Sequence, residues 1–208
     1  MLSILKLFLL NSLLISSALA YTPQEGNVTA TLGPFLYKTN FESTDTGANS
    51  PNLGGVGLIA LGDLNATGSL EIAMFKLHKL YFREQASNSI VEEKEIIHIT
   101  MGYRYWINPY FSTSLSFYSS YSMGDPKIIH STFAAGAEID TSARDTTEYG
   151  FDWAVQGDIW SNDKMAVIAE TRYSLSVTSK EKEKSDHYGL MLGIRYLIQE
   201  KFGKLPKK

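Results

Sequence analysis

Residues 188–198 read Tyr-Gly-Leu-Met-Leu-Gly-Ile-Arg-Tyr-Leu-Ile. Taking every second position separates Tyr188, Leu190, Leu192, Ile194, Tyr196 and Ile198 from Gly189, Met191, Gly193, Arg195 and Leu197. A period of two marks an extended strand with two unlike faces, because successive Cβ atoms point to opposite sides of a sheet. One face here is bulky and uncharged; the other is mostly small or charged. The same alternation recurs upstream. In 97–107, Ile97, Ile99, Met101, Tyr103, Tyr105 and Ile107 alternate with His98, Thr100, Gly102, Arg104 and Trp106. In 111–121, Phe111, Thr113, Leu115, Phe117 and Tyr121 oppose a serine-rich set, and in 149–155, Tyr149, Phe151, Trp153 and Val155 oppose Gly150, Asp152 and Ala154. Segment 165–177 sets Met165, Val167, Ala169, Thr171, Tyr173, Leu175 and Val177 against a face carrying Glu170 and Arg172. Strands of about 9–11 residues cross a bilayer at a tilt.

The N-terminal third is compatible with three more strands, near 27–38, 53–62 and 69–82. Pro34 sits awkwardly in the first, since proline cannot donate to a ladder. In the third, Leu70, Ile72 and Met74 share a face that Lys76 would continue into lipid, so a bulge near Phe75 is expected to shift the phase. The connections give an independent check. They run long (39–52), short (Asp63–Gly68), long (83–94), very short (Asn108-Pro109), long (124–144), short (Ser161–Asp163), then medium and charged (179–186). Residues 128–139 read as an ordered excursion of the third long loop, because a ninth crossing would put the charged 179–186 loop on the short-turn side. Strict alternation of short turns and longer loops is the plan of an eight-stranded antiparallel up-and-down transmembrane β-barrel.

Composition narrows the alternatives. The 208 residues include no cysteine, and 19 Lys+Arg against 22 Asp+Glu give a net charge of −3. Thiolate metal sites and cysteine nucleophiles are thereby excluded, and a basic nucleic-acid binder is not expected. No metal and no cofactor is expected. A soluble barrel would turn its apolar face inward; here the apolar set is large and aromatic, while the polar set is compact enough for a narrow lumen. That asymmetry predicts a lipid-facing exterior and a polar, plugged interior. Tyr105, Trp106, Tyr110, Phe111 and Trp160 beside short turns, with Tyr121 and Tyr149 towards the loops, are expected to form aromatic belts at the two interfaces. Glu71, Arg104, Asp152, Glu170, Arg172 and Arg195 are expected to point into the lumen as a paired charge network, because buried charges persist only when compensated.

Residues 1–20 carry Lys6, an apolar stretch from Leu7 to about Ser16, and Ala18-Leu19-Ala20. That is the pattern of a secretory signal peptide cleaved near Ala20. The barrel would then span 21–199, followed by a basic tail at 200–208 containing Lys201, Lys204, Lys207 and Lys208.

The leader, the eight alternating runs, the short/long connections and the closing Gly193-Ile194-Arg195-Tyr196-Leu197-Ile198 resemble the small outer-membrane β-barrel superfamily of the OmpA/OmpX/OmpW type. The likeness covers most of the chain as a pattern. It implies a location in the outer membrane of a Gram-negative bacterium, contact with outer-membrane lipid and lipopolysaccharide, and handling by the barrel-assembly machinery, which would read the terminal stretch. The chain departs from the family pattern in running past that stretch through Gln199 to Lys208, where many members stop at an aromatic residue. A monomer with a structural or surface-interaction role is expected, with a narrow ion or small-solute channel as the alternative. A lipid A-modifying enzyme is the remote alternative: His130, Ser131 and Glu138 are the one neighbouring His/Ser/acid set, they are adjacent in a loop, and no enzyme is expected on that basis.

Overall fold

The computed structural model describes residues 21–40, 49–85, 87–134, 136–137, 147–162, 164–178 and 183–199. The leader at 1–20 and the tail at 200–208 lie outside these residues. The strands are β1 (Val28–Thr39), β2 (Asn52–Asp63), β3 (Gly68–Gln85), β4 (Asn88–Asn108), β5 (Phe111–Ser131), β6 (Glu148–Ser161), β7 (Met165–Ser176), β8 (Glu183–Lys184) and β9 (His187–Gln199). Each long strand pairs antiparallel with its neighbours in order, and β9 pairs with both β7 and β1. The sheet thus closes on itself as an eight-stranded barrel, with β8 attached to the top of β3.

Alternation decides which side chains face in. On β9, Tyr188, Leu190, Leu192, Ile194, Tyr196 and Ile198 are all exposed, whereas Met191 and Arg195 are buried. Met101 at 65%, Leu115 at 63% and Ile198 at 62% show how fully the exterior presents apolar side chains. An apolar band of this extent facing outward on every stave is stable only against hydrocarbon.

The short turns share one device. Asn65, Asn108 and Asn162 each turn a side-chain oxygen back onto backbone N–H groups, at 2.8 Å to Thr67, at 2.8 and 3.0 Å to Tyr110 and Phe111, and at 2.9 and 2.8 Å to Lys164 and Met165. Asparagine makes such turns readily by mimicking a backbone turn. The start of β1 and the end of β9 meet this rim: the Gly26 N–H donates to the Asp63 carbonyl and the Leu197 N–H to the Lys164 carbonyl.

Four expectations need correction. Residues 83–94 are no loop. β3 continues to Gln85 and β4 starts at Asn88, with Ser87 in the left-handed region (φ 66°), so the charged run is the tip of a paired hairpin. Residues 128–131 belong to β5 itself, paired with β4 as far as Ile90↔Ser131, and are no loop excursion. The bulge near Phe75 is absent, since both ladders of β3 keep register there; Lys76 faces outward and ion-pairs with Glu95 at 2.6 Å. The register shifts lie elsewhere, including one at Asp158/Trp160 that turns Ile159 and Trp160 outward together. The interior, finally, is polar only in part. Phe35, Tyr37, Ile59, Leu61, Phe75 and Leu77 from β1–β3 pack an apolar half against a charged half that Glu71 of β3 shares with β4, β6 and β7. Pro34 fits because the β1–β9 ladder is interrupted at Gly33 and Pro34.

Candidate functional site: a charged lumen and a raised sheet

The charged half of the lumen is built from inward positions of β3, β4, β6 and β7. Arg104 donates through Nε to Glu71 at 2.7 Å and through Nη2 to Glu170 at 2.5 Å. Arg172 donates through Nη2 to the other oxygen of each carboxylate, at 2.7 Å to Glu71 and 2.8 Å to Glu170. Two guanidinium groups and two carboxylates thus close a ring, each acid shared by both bases. Arg172 also reaches Asp152 at 3.0 Å, and Arg104 reaches Ser112 and the Gln156 side-chain oxygen at 3.0 and 3.1 Å. Every member is fully buried, and the fork geometry of arginine is what lets one side chain serve several acceptors. The Arg172 guanidinium lies 5.0 Å over the Phe75 ring, so the two halves of the lumen meet in direct contact.

Further layers lie towards the two ends. Towards the long-loop rim, His98 places Nε2 3.0 Å from Asp152 and Nδ1 2.8 Å from Ser120. Its ring packs 4.3 Å from Tyr118 and 5.3 Å from His187. Above it Lys79 pairs with Glu148, which also accepts from the Tyr118 hydroxyl at 2.8 Å. Towards the short-turn rim, Arg195 grips Asp158 with both Nη atoms at 3.0 and 2.5 Å and stacks over Tyr21 and Trp106 at 4.5 and 5.1 Å. The Tyr21 hydroxyl donates to Asp63, and burial together with that carboxylate pushes the phenol well above its ordinary value.

Of the six charges expected inside, Glu71, Arg104, Asp152, Glu170 and Arg172 form one network and Arg195 forms a separate lower layer. Tyr105, Tyr110, Phe111, Trp160, Tyr121 and Tyr149 are exposed on the exterior. Trp106 is a correction: it is only 2% exposed, faces inward on the same side of β4 as Arg104, and donates from Nε1 to Ser69 at 3.0 Å. Sequence reading missed Lys79, His98, Glu148 and Asp158 as network members. Alternation alone puts Lys79 in phase with Glu71 and His98 in phase with Arg104; Glu148 lies just outside the run that was read, and Asp158 precedes a register shift. His130 and Ser131 are exposed on β5, and Glu138 lies outside the described residues. Among the described residues, no three His, Asp or Glu side chains converge as a metal site.

The second feature is the height of three staves. β3, β4 and β5 run 18, 21 and 21 residues against 12 for β1, β2 and β7, and so rise past their neighbours on the long-loop rim. The exterior of β3 and β4 turns polar towards that rim, with the Lys76–Glu95 pair and His78 beside Glu93 at 3.3 Å. The hydrogen bond from Lys76 holds the Glu95 carboxyl below its ordinary value. Where β2 stops pairing with β3, the Tyr37 hydroxyl takes over: it donates to the His78 carbonyl at 3.0 Å and accepts from the His78 N–H at 2.6 Å. β5 loses β6 at Ser120↔Glu148, so among the described residues the stretch from Tyr121 to Ser131 has β4 as its one ladder partner. Apart from half-buried Pro126, every residue of that stretch is exposed.

No protein-family model matches the sequence, and no curated protein matches it. Among solved structures, the outer membrane protein OprG of Pseudomonas aeruginosa is similar at a TM-score of 0.55 and 10% identity, over 86% of this chain and 99% of that one. Ail, the attachment invasion locus protein of Yersinia pestis, aligns at 16% identity and a TM-score of 0.47, over 83% of this chain and 100% of its own. The closed eight-stranded sheet and its likeness to OprG agree: this chain has the fold of the small outer-membrane β-barrels.

Proposed function

We propose that the protein sits in the outer membrane of a Gram-negative bacterium as a plugged, non-enzymatic monomer, and that it displays the raised β3–β5 sheet outside the cell as an interaction surface. On this reading residues 1–20 are removed near Ala20, the barrel-assembly machinery inserts the chain, the short Asn-built turns face the periplasm, and lipid with lipopolysaccharide surrounds the wall. The observation that carries the proposal is the Tyr121–Ser131 segment of β5. Among the described residues it offers a row of backbone donors and acceptors along one edge and is exposed on both faces. An open edge of that length is a template for another strand, and main-chain pairing with an added strand is a general recognition mode. The ionic ring across the lumen favours this role over a channel, since conduction would require Arg104 and Arg172 to leave their carboxylates.

The test uses the full mature barrel in lipid nanodiscs against a displayed library of extended peptides. Selected peptides are expected to cross-link to positions 121–131 and to lose binding when Ser122 and Lys127 are replaced by proline. Binders that map elsewhere, or a selection that enriches none, would overturn the interaction role.

A further inference from the structure

The outer wall carries a groove of about 540 Å³ that crosses β1, β9, β7 and β6. Its upper edge is a row of direct cross-strand partners, Asn52↔Lys38, Lys38↔Tyr188, Tyr188↔Tyr173 and Tyr173↔Trp153. Its floor is the next outward row, Leu36, Leu190, Thr171 and Val155. The depression has a simple cause: Thr171 and Val155 are short beneath Tyr173 and Trp153. At the mouth, outward-facing Gly54 opposite Leu36 contributes no side chain, and a Cβ built there meets nothing within 4 Å. The Trp153 indole N–H is satisfied on the outer face by Thr113 Oγ1 of the neighbouring β5 at 3.0 Å, so the ring offers the groove an apolar face.

Position and charge select the occupant. Lys38 is the second-last residue of β1, Tyr188 the second of β9 and Asn52 the first of β2, so the mouth lies at the long-loop rim. Tyr173 and Trp153 sit further down their strands, so the groove descends from that rim into the apolar band. No carboxylate pairs with Lys38 among the described residues. Asp186, whose carboxylate meets the row at Tyr173, is already held by the Ser176 N–H at 2.8 Å and the Tyr173 hydroxyl at 3.4 Å. A cation and an amide at the interface above an aromatic-walled apolar trough match an amphiphile with an anionic head and a hydrocarbon chain. We infer that this groove is a binding site for one acyl chain of a phosphorylated glycolipid of the outer leaflet, with Lys38 and Asn52 on its phosphate. The inference rests on the outer-membrane placement proposed above and is independent of the role given to β5.

The experiment is native mass spectrometry of the mature barrel recovered from outer membranes and then exchanged into nanodiscs holding equal amounts of a lipid A-type glycolipid and phosphatidylglycerol. One glycolipid per barrel is expected to survive gentle detergent removal. Lys38→Gln should lower its retention roughly fivefold, the weight of one interfacial cation. Thr171→Trp, which fills the floor, should lower it by about tenfold or more, while Ile72→Trp on the distant β3 wall should leave it unchanged. Each variant is checked for the heat-modifiable gel band of a closed barrel, and Gly54→Trp, which blocks the mouth, replaces any that lacks it. Equal retention by all variants, or equal retention of phosphatidylglycerol, would overturn the site. A chain missing from the outer-membrane fraction would overturn the placement instead.

Discussion

Arg172 touches Asp152, Glu170 and Glu71 at 3.0, 2.8 and 2.7 Å, three buried acids on one guanidinium. Taking one partner out of such a set leaves charge stranded without water, which costs far more than the pair contributes over an apolar substitute. Arg104→Met should therefore destabilise the barrel by about 3–5 kcal/mol in denaturant titrations, as expected when one partner of a buried ion pair is removed. Adding Glu71→Gln to it should recover part of that loss. The exposed Lys76–Glu95 pair behaves differently. Because the Lys76 hydrogen bond lowers the folded-state value of Glu95, whatever the pair contributes is present above the ordinary carboxylate range and is lost as pH falls through the folded value. In Lys76→Met, the Glu95 carboxyl followed by NMR should titrate at higher pH than in the parent, back towards its ordinary value. High salt should move the parent the same way.

Among the elements, the staves with clean alternation were legible because the whole difference between their two faces is side-chain size and charge. β9 and the central parts of β4, β5 and β7 could be read straight off the chain. The raised tips could not. In 83–94, Glu92, Glu93 and Lys94 look like a solvated loop, yet the backbone there pairs residue by residue from Arg83↔Ile90 to Lys79↔Lys94. There the strand carries charge on both faces, with Glu92 and Lys94 buried and Glu93 half-buried, so polarity ceases to report on secondary structure. The charged half of the lumen was legible for the same reason as the staves. Its apolar half was not, because Phe35, Tyr37 and Leu61 on an inward face erase the contrast that alternation needs. The seam between first and last strands depends on small residues: a Cβ on Gly33 would stand 2.0 Å from the Leu192 carbonyl and 2.7 Å from the Gly193 Cα. Gly33→Val should accordingly prevent β1 from closing on β9, seen as loss of the compact, heat-modifiable band on unheated gels. Gly54→Val, in open space, should keep it.

As a whole molecule, the barrel is a wall around a side-chain-filled interior with an uneven crown. Layers of buried side chains cross its lumen: Lys79–Glu148, the Arg104–Arg172 ring, and Arg195 with Tyr21 and Trp106. Purified protein in planar bilayers is expected to show no unitary conductance steps; steps would mean that these layers part together. The crown, by contrast, sets the molecule apart from a cylinder of equal staves, because β3–β5 stand above a rim to which β1 and β9 contribute little. That inequality has a mechanical side. Among the described residues β2 and β3 exchange main-chain rungs only up to Val56↔Lys76; above that the Tyr37 phenol, the two rungs of β8 to Phe82 and Arg83, and the Lys79–Glu148 pair tie the tall sheet to the rest of the wall. A tug on the tall sheet would load these few ties in place of a continuous ladder, with the first strain falling beside His78.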